Sequence, residues 1–144
     1  MQIREYKSSD LGTCLGLFDS NVPDFFEISE RAAFEEFLKD PGTYYVLVLD
    51  SNEILACGGW YLDGEVAGLT WGIVHREHQQ RGFGKFLLEE RLKTIRSTRR
   101  ANRVRVRTTS VVQGFFERAG FKTSCARIAG VTEKVPLVEL ILEL

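Results

Sequence analysis

Two hydrophobic periods alternate along the chain, and the switches between them mark its elements. Ile3 to Tyr6 reads as a short strand. Ser8-Ser9-Asp10 offers N-cap oxygens ahead of Leu11, Cys14, Leu15 and Phe18, which recur at helical spacing. Asn21-Val22-Pro23-Asp24 breaks that helix. A second helix, starting after Ser29, carries Phe34, Phe37 and Leu38 on one side until Asp40-Pro41-Gly42 stops it. The continuous apolar run Tyr44 to Leu49 predicts a strand covered on both faces. Ile54 to Leu62 and Val66 to Val74 follow as strands joined by Asp63-Gly64, a strong hairpin signal.

Further along, Leu88, Leu92 and Ile95 line one side of a third helix. Arg103 to Arg107 alternates basic and apolar residues, which predicts a strand with one wet or ligand-facing side, since three unpaired arginines are not buried. Thr109 or Ser110 caps a fourth helix bearing Val111, Val112, Phe115, Phe116 and Ala119, ended by Gly120. Two strands close the chain, Phe121 to Ala129 and Val135 to Leu144, the last with Val138, Leu140, Leu142 and Leu144 on one face. The order β-α-α-β-β-β-α-β-α-β-β predicts an α/β (α+β) fold. With no repeat, low-complexity tract or linker, residues 1–144 read as a single domain.

Composition narrows the function. The 144 residues are 44% hydrophobic and 27% charged with a net charge of −1, enough apolar content for one packed core and far from a disordered chain. Near-neutrality argues against a surface built for nucleic acid. No apolar run approaches the roughly 20 residues that span a bilayer, and Met1-Gln2-Ile3-Arg4-Glu5-Tyr6 does not resemble a secretion signal. Cys14, Cys57 and Cys125 are odd in number and far apart, fitting neither a disulfide framework nor a zinc site; a cytoplasmic location is expected. His75 and His78 read as loop residues, without a third ligand at metal spacing, so no metal is expected. Gly58-Gly59 and Gly68 interrupt the strands, marking a bulge, a close approach by another chain or ligand, or tight packing. Trp60 and Trp71 read as core or sheet-face residues.

The segment Val74 to Leu88 carries the most chemistry. A strand ends, polar residues follow, and Gly82 and Gly84 open a helix whose free N–H groups and positive dipole end attract phosphate. A Walker A loop is excluded, because Gln79 stands at its first glycine and Phe86 at its hydroxyl. A dinucleotide fingerprint is excluded too, by Leu87 at the third glycine and Val104 where the acid belongs.

Gln79-Gln80-Arg81-Gly82-Phe83-Gly84, following the apolar strand end Ile73-Val74, resembles the Gln/Arg-x-x-Gly-x-Gly/Ala signature of the GNAT N-acetyltransferase superfamily. Phe115-Phe116-Glu117-Arg118-Ala119-Gly120-Phe121 is similar to a second segment of that family, and the element order agrees over nearly the whole chain. The resemblance implies a mixed, mostly antiparallel sheet of about seven strands with about four helices, splayed between the fourth and fifth strands. It implies acetyl-CoA as co-substrate, its pyrophosphate on the loop Gln79, Gln80, Arg81, Gly82, Phe83 and Gly84 with Lys85. The pantetheine arm is expected alongside Gly72, Ile73 and Val74, with a backbone N–H near Ile73 polarising the thioester carbonyl. A primary amine of a small molecule or peptide then attacks directly, without a covalent enzyme intermediate.

Several residues depart from the family pattern. Phe116 stands at the usual tyrosine acid, Thr109 at a frequent asparagine, and Gly68 and Val104 at the two usual glutamate sites. Glu27, Glu65 and His75 are the candidate bases. The alternative function is an acyl-CoA-binding or regulatory module with little turnover. The basic residues Arg91, Lys93, Arg96, Arg99, Arg100, Arg103, Arg105 and Arg107 have three readings: a solvated surface, contact with the 3′-phosphate end of CoA, or nucleic acid, the last lacking stacking aromatics. Val22 to Glu27 is either a lid for a cationic amine or a hydrophobic plug. The acceptor is expected to be set by Val22 to Ser29 and the final hairpin, and the apolar last strand leaves monomer and homodimer both open.

Overall fold

In the computed structural model, which describes the backbone of residues 1–128 and 137–144 and the side chains of 1–124 and 137–144, the elements follow the expected order. They are β1 (Gln2–Glu5), α1 (Leu11–Asp19), α2 (Arg31–Lys39), β2 (Tyr45–Asp50), β3 (Glu53–Asp63), β4 (Val66–Val74), α3 (Phe83–Thr98), β5 (Arg103–Thr109), α4 (Gln113–Arg118), β6 (Lys122–Ile128) and β7 (Leu137–Glu143). Among the described residues one seven-stranded mixed sheet runs β1-β2-β3-β4-β5-β7-β6. The pairs β1–β2, β2–β3, β5–β7 and β6–β7 are antiparallel. β4 and β5 are parallel and register only over Val66–Gly68 against Arg103–Arg105, so the sheet is splayed between them. Ala129 and Val135, the expected inner ends of the last two strands, lie outside the described residues, as does the turn of the final hairpin. No described helix is long and apolar enough to cross a membrane.

The chain divides into two compact units. The first comprises Met1–Tyr61 and Thr70–Thr94. Here β2 is covered on both faces, as its unbroken apolar run predicts. Tyr45 and Leu47 pack with Cys14, Phe18 and Phe34 of α1 and α2, whereas Val46 and Val48 pack with Phe83 and Leu87 of α3. The start of α1 differs from expectation. Ser8–Asp10 forms a 3-10 turn, and the Asp10 carboxylate, not a serine hydroxyl, accepts the Lys7 N–H at 2.8 Å. Arg4 grips the same carboxylate at 3.0 Å through both terminal nitrogens and holds it below the usual carboxylate range.

The second unit comprises Leu62–Leu69 and Ile95–Leu144. The three arginines of β5 keep to one side of the strand and are paired. Arg103 meets Glu143 at 3.6 Å, Arg105 meets Asp63 at 3.8 Å and Arg107 meets Glu139 at 2.9 Å. That is the wet-side reading of the alternation. The predicted fourth helix is shorter than its apolar pattern, because Ser110–Val112 turns as a 3-10 segment before α4. Val111, expected on its buried side, is consequently 55% exposed.

Candidate functional site

The second half of β4, from Thr70, the segment after it and the first turn of α3 come together within the first unit, and the residues just after α1 tie them. Asn21, only 2% exposed, does more than break a helix. Its Nδ2 donates to the carbonyls of Leu17 and Val74, both at 3.0 Å, and its Oδ1 accepts from Gln79 Nε2 at 2.6 Å. Next to it, Ser20 Oγ accepts the Arg76 N–H at 3.1 Å. Ser20 and Asn21, the two residues that follow α1, therefore fix both ends of the segment leading from β4 to the glycine turn. Sequence reading missed Asn21, whose type and position signal only a turn.

Within that segment His75 Nδ1 accepts the Glu77 N–H at 3.1 Å, and His78 Nδ1 accepts from Arg81 Nη1 at 2.8 Å. Gln80 and Gly82 take positive φ, 61° and 91°. The first backbone bond of the following helix runs from the Phe86 N–H to the Gly82 carbonyl. Among the described residues, none supplies an acceptor to the N–H groups of Gln80, Arg81, Gly82, Phe83, Gly84 and Lys85. A Cβ built on Gly82 would meet nothing closer than Met1 Cε at 4.0 Å. Six unspent donors beside a bare, open glycine suit an anion with several oxygens, which is the chemistry of a diphosphate.

β4 itself is unusual at Trp71, whose φ is 41°. For an aromatic residue this costs on the order of 1–3 kcal/mol and needs enforcement. The rings of Phe18, Phe26, Phe34 and Phe37 surround it at 4.8–6.5 Å, and Tyr45 Oη donates to its carbonyl at 2.8 Å. Phe26 also stacks on Phe18 at 4.9 Å, while Arg76 pairs with Asp24 at 3.0 Å and lies over the Phe25 ring. The Val22 to Glu27 segment is thus packed onto the core. Beyond Trp71, Gly72 is exposed and Ile73 buried in the same cluster as α1 and α2.

Arg91 corrects the sequence reading. Although it falls in the basic run, it is only 4% exposed, beneath β3 and β4. Burial lowers its pKa to about 10. A helical wheel was the available signal: Arg91 falls between Leu87, Leu88 and Ile95 on the apolar stripe. Gly59, by contrast, is bare for packing, since a Cβ there would collide with the Tyr44 carbonyl oxygen.

The candidate bases are scattered. Glu65 is exposed in the turn before β4 and accepts from Asn102 Nδ2 at 3.0 Å, whereas His75 follows the other end of that strand. Because Nδ1 of His75 is occupied as an acceptor, its neutral form carries the proton on Nε2. Glu27, half-buried, opens the 3-10 turn before α2, next to Phe26. Phe116, in the second unit, packs edge-on against Phe115 at 5.1 Å and Phe121 at 5.4 Å. Among the described residues no group of three or more His, Cys, Asp or Glu gathers as a metal site.

Residues 14–121 match the model of the Acetyltransferase (GNAT) family. Similar solved structures include a GNAT-family protein of Desulfovibrio desulfuricans, with TM-score 0.83, 19% identity, and coverage of 99% of this chain and 98% of that one. A ribosomal-protein-alanine N-acetyltransferase of Brucella melitensis gives 0.75 and 14%, with both chains covered fully at 100%. A PaiA N-acetyltransferase of Thermoplasma acidophilum in complex with coenzyme A gives 0.74 and 14%, covering 99% and 98%. No curated protein matches the sequence. With three quarters of its length under the family model and the fold shared along the rest, the chain belongs to the GNAT acetyltransferase family.

Proposed function

We propose that residues 1–144 act as one acetyl-CoA-dependent N-acetyltransferase domain, working in the cytoplasm on a primary amine of a small molecule or peptide. The observation that carries this reading is the row of unused N–H groups from Gln80 to Lys85 beside Gly82. These amides, with Gln79 held in place by Asn21, receive the diphosphate of the co-substrate. Gly72, Ile73 and Val74 offer backbone groups along the pantetheine arm, and a backbone N–H near Ile73 would polarise the thioester carbonyl. When bound, acetyl-CoA supplies the activated acyl group, which the amine takes directly. An ammonium must first lose a proton. His75 is poorly suited to remove it, with Nδ1 engaged and Nε2 protonated, and Glu65 serves Asn102. Of the three candidates Glu27 is the proposed base on position alone, adjacent to Phe26 and so to the Trp71 cluster. Relatives named for acetylating protein alanine and for binding coenzyme A support the same ligand and acceptor chemistry.

Isothermal titration with acetyl-CoA tests the assignment, and absence of binding at millimolar ligand ends it. Gly82→Glu is expected to abolish binding by placing a carboxylate where the diphosphate belongs. A second reading, acyl-CoA binding with little turnover, is favoured by Phe116, a ring packed between two others that has no proton to give. Release of free CoA across an amine library separates the two: thiol release retires the binding module, and tight binding without release supports it.

A further inference from the structure

Among the described residues, Arg91 is a buried charge without a carboxylate partner, and the loop chemistry leaves it without a task. Its position on the apolar stripe of α3 is accommodated by the sheet, because two facing strand residues lack side chains. A Cβ on Gly72 would stand 3.1 Å from Nη2 and 3.2 Å from Nη1, and one on Gly58 would stand 3.4 Å from Nη1. Yet little holds the guanidinium in return. Nη1 donates to the Gly59 carbonyl at 3.3 Å, a long bond, and Nε is buried without an acceptor. Nη2 has no acceptor among the described residues, and no described carboxylate pairs with the group. A desolvated cation with idle donors opposes folding unless something else uses it. At that same point Gly72 is exposed, so the guanidinium ends beside an open stretch of β4.

The register along α3 says what would meet it. From Gly84, among the free amides, to Arg91 the helix rises about 10 Å, at roughly 1.5 Å per residue. Measured from a diphosphate, the first amide carbonyl of a pantetheine arm lies five bonds away and the second nine. In an extended chain these are about 6 Å and about 11 Å, at roughly 1.25 Å of advance per bond. The anionic end of the molecule is already served by the amides; what remains at this distance is a carbonyl oxygen.

We infer that Arg91 is a positioning residue for the acyl-CoA arm, its Nη2 donating to the second amide carbonyl of pantetheine where the arm passes Gly72. The inference rests on the proposed function. The Nη2 bond would hold the arm against β4 at Gly72, where it has already passed Val74 and Ile73 on its way from the glycine turn.

The test separates the arm from the nucleotide. Wild type, Arg91→Met and Arg91→Lys are titrated with acetyl-CoA and with 3′-phospho-ADP, which carries the diphosphate but no pantetheine. The Met variant is expected to lose about ten-fold or more in acetyl-CoA affinity while 3′-phospho-ADP stays within about two-fold, and Lys to recover part of the loss. Equal weakening of both ligands would show a purely structural role, and unchanged affinity for both would show none; either overturns the inference. If the Met variant does not fold, the ratio of the two affinities in the Lys variant decides alone. A wild type that binds neither ligand removes the proposed function and this inference together. A wild type that binds both, with a silent Arg91→Met, removes only the inference.

Discussion

Replacing Asn21 by alanine should loosen the segment between β4 and α3 more than any other single truncation there. The side chain is buried and makes four bonds, to the Leu17 and Val74 carbonyls, to Ser20 Oγ, and from Gln79 Nε2. A typical buried hydrogen bond contributes about 1 kcal/mol net, and a stranded partner costs somewhat more. Gln79 Nε2 also lies 3.4 Å from the Val74 carbonyl and can close on it, which returns part of the loss. The expected destabilisation is about 2–3 kcal/mol, or a melting point lower by about 10 °C for a chain of this size. Urea unfolding followed by circular dichroism measures it, with an unchanged m-value showing that the unfolded state is the same. A double-mutant cycle with Gln79→Ala should return a coupling of about 1 kcal/mol. Asn21→Asp sharpens the test, because it keeps the acceptor for Gln79 but turns an oxygen toward two carbonyls. It should be at least as damaging at neutral pH. A loss below about 0.5 kcal/mol in the alanine variant, or a coupling of zero, would refute the reasoning.

Other consequences are checked more quickly. Gly59→Ala should cost more than about 3 kcal/mol or prevent soluble expression, because its Cβ would collide with the Tyr44 backbone. Gly16→Ala, in open space on α1, should gain about 0.5–1 kcal/mol. Asp10 is held below its ordinary pKa by Arg4 and the Lys7 N–H, so its contribution is complete above about pH 4 and fades as the pH falls through the lowered value. Asp10→Asn should accordingly flatten the acid limb of a stability–pH curve, and an unchanged limb would show that the pair contributes nothing. Cys14 and Cys57 are fully buried, and the hydrogen bond to Cys57, followed by burial, raises the Cys14 thiol. In a Cys125→Ser background neither should react with a thiol reagent until the protein is unfolded; fast labelling of the native protein would contradict this burial.

Strand boundaries were readable wherever a turn signal bracketed an apolar run, as with Val66 to Val74 between Asp63-Gly64 and the polar loop. The glycine turn was readable because its chemistry lies in consecutive residues. Asn21 and Arg91 were not, since each is decided by what arrives from elsewhere in the chain. Asparagine after a helix normally stays in solvent, and only the docking of Gln79 and Val74 buries it. One arginine among eight basic residues is hidden by its neighbours; the facing glycines, Gly58 and Gly72, come from far earlier in the chain and make room for it. At Ser110–Val112 the chain tightens into a 3-10 turn, whose three-residue period an apolar pattern this short does not distinguish from an α-helix.

The left-handed backbone at Trp71 is imposed from outside its own strand. Rings from α1, from the segment before α2, and from α2 itself press on it, and a tyrosine from β2 clasps its carbonyl. Transplanting β4 and the glycine turn into another scaffold would therefore carry over the letters but not the shape. The portable unit is larger, and it includes two helices whose own residues need never touch the cargo.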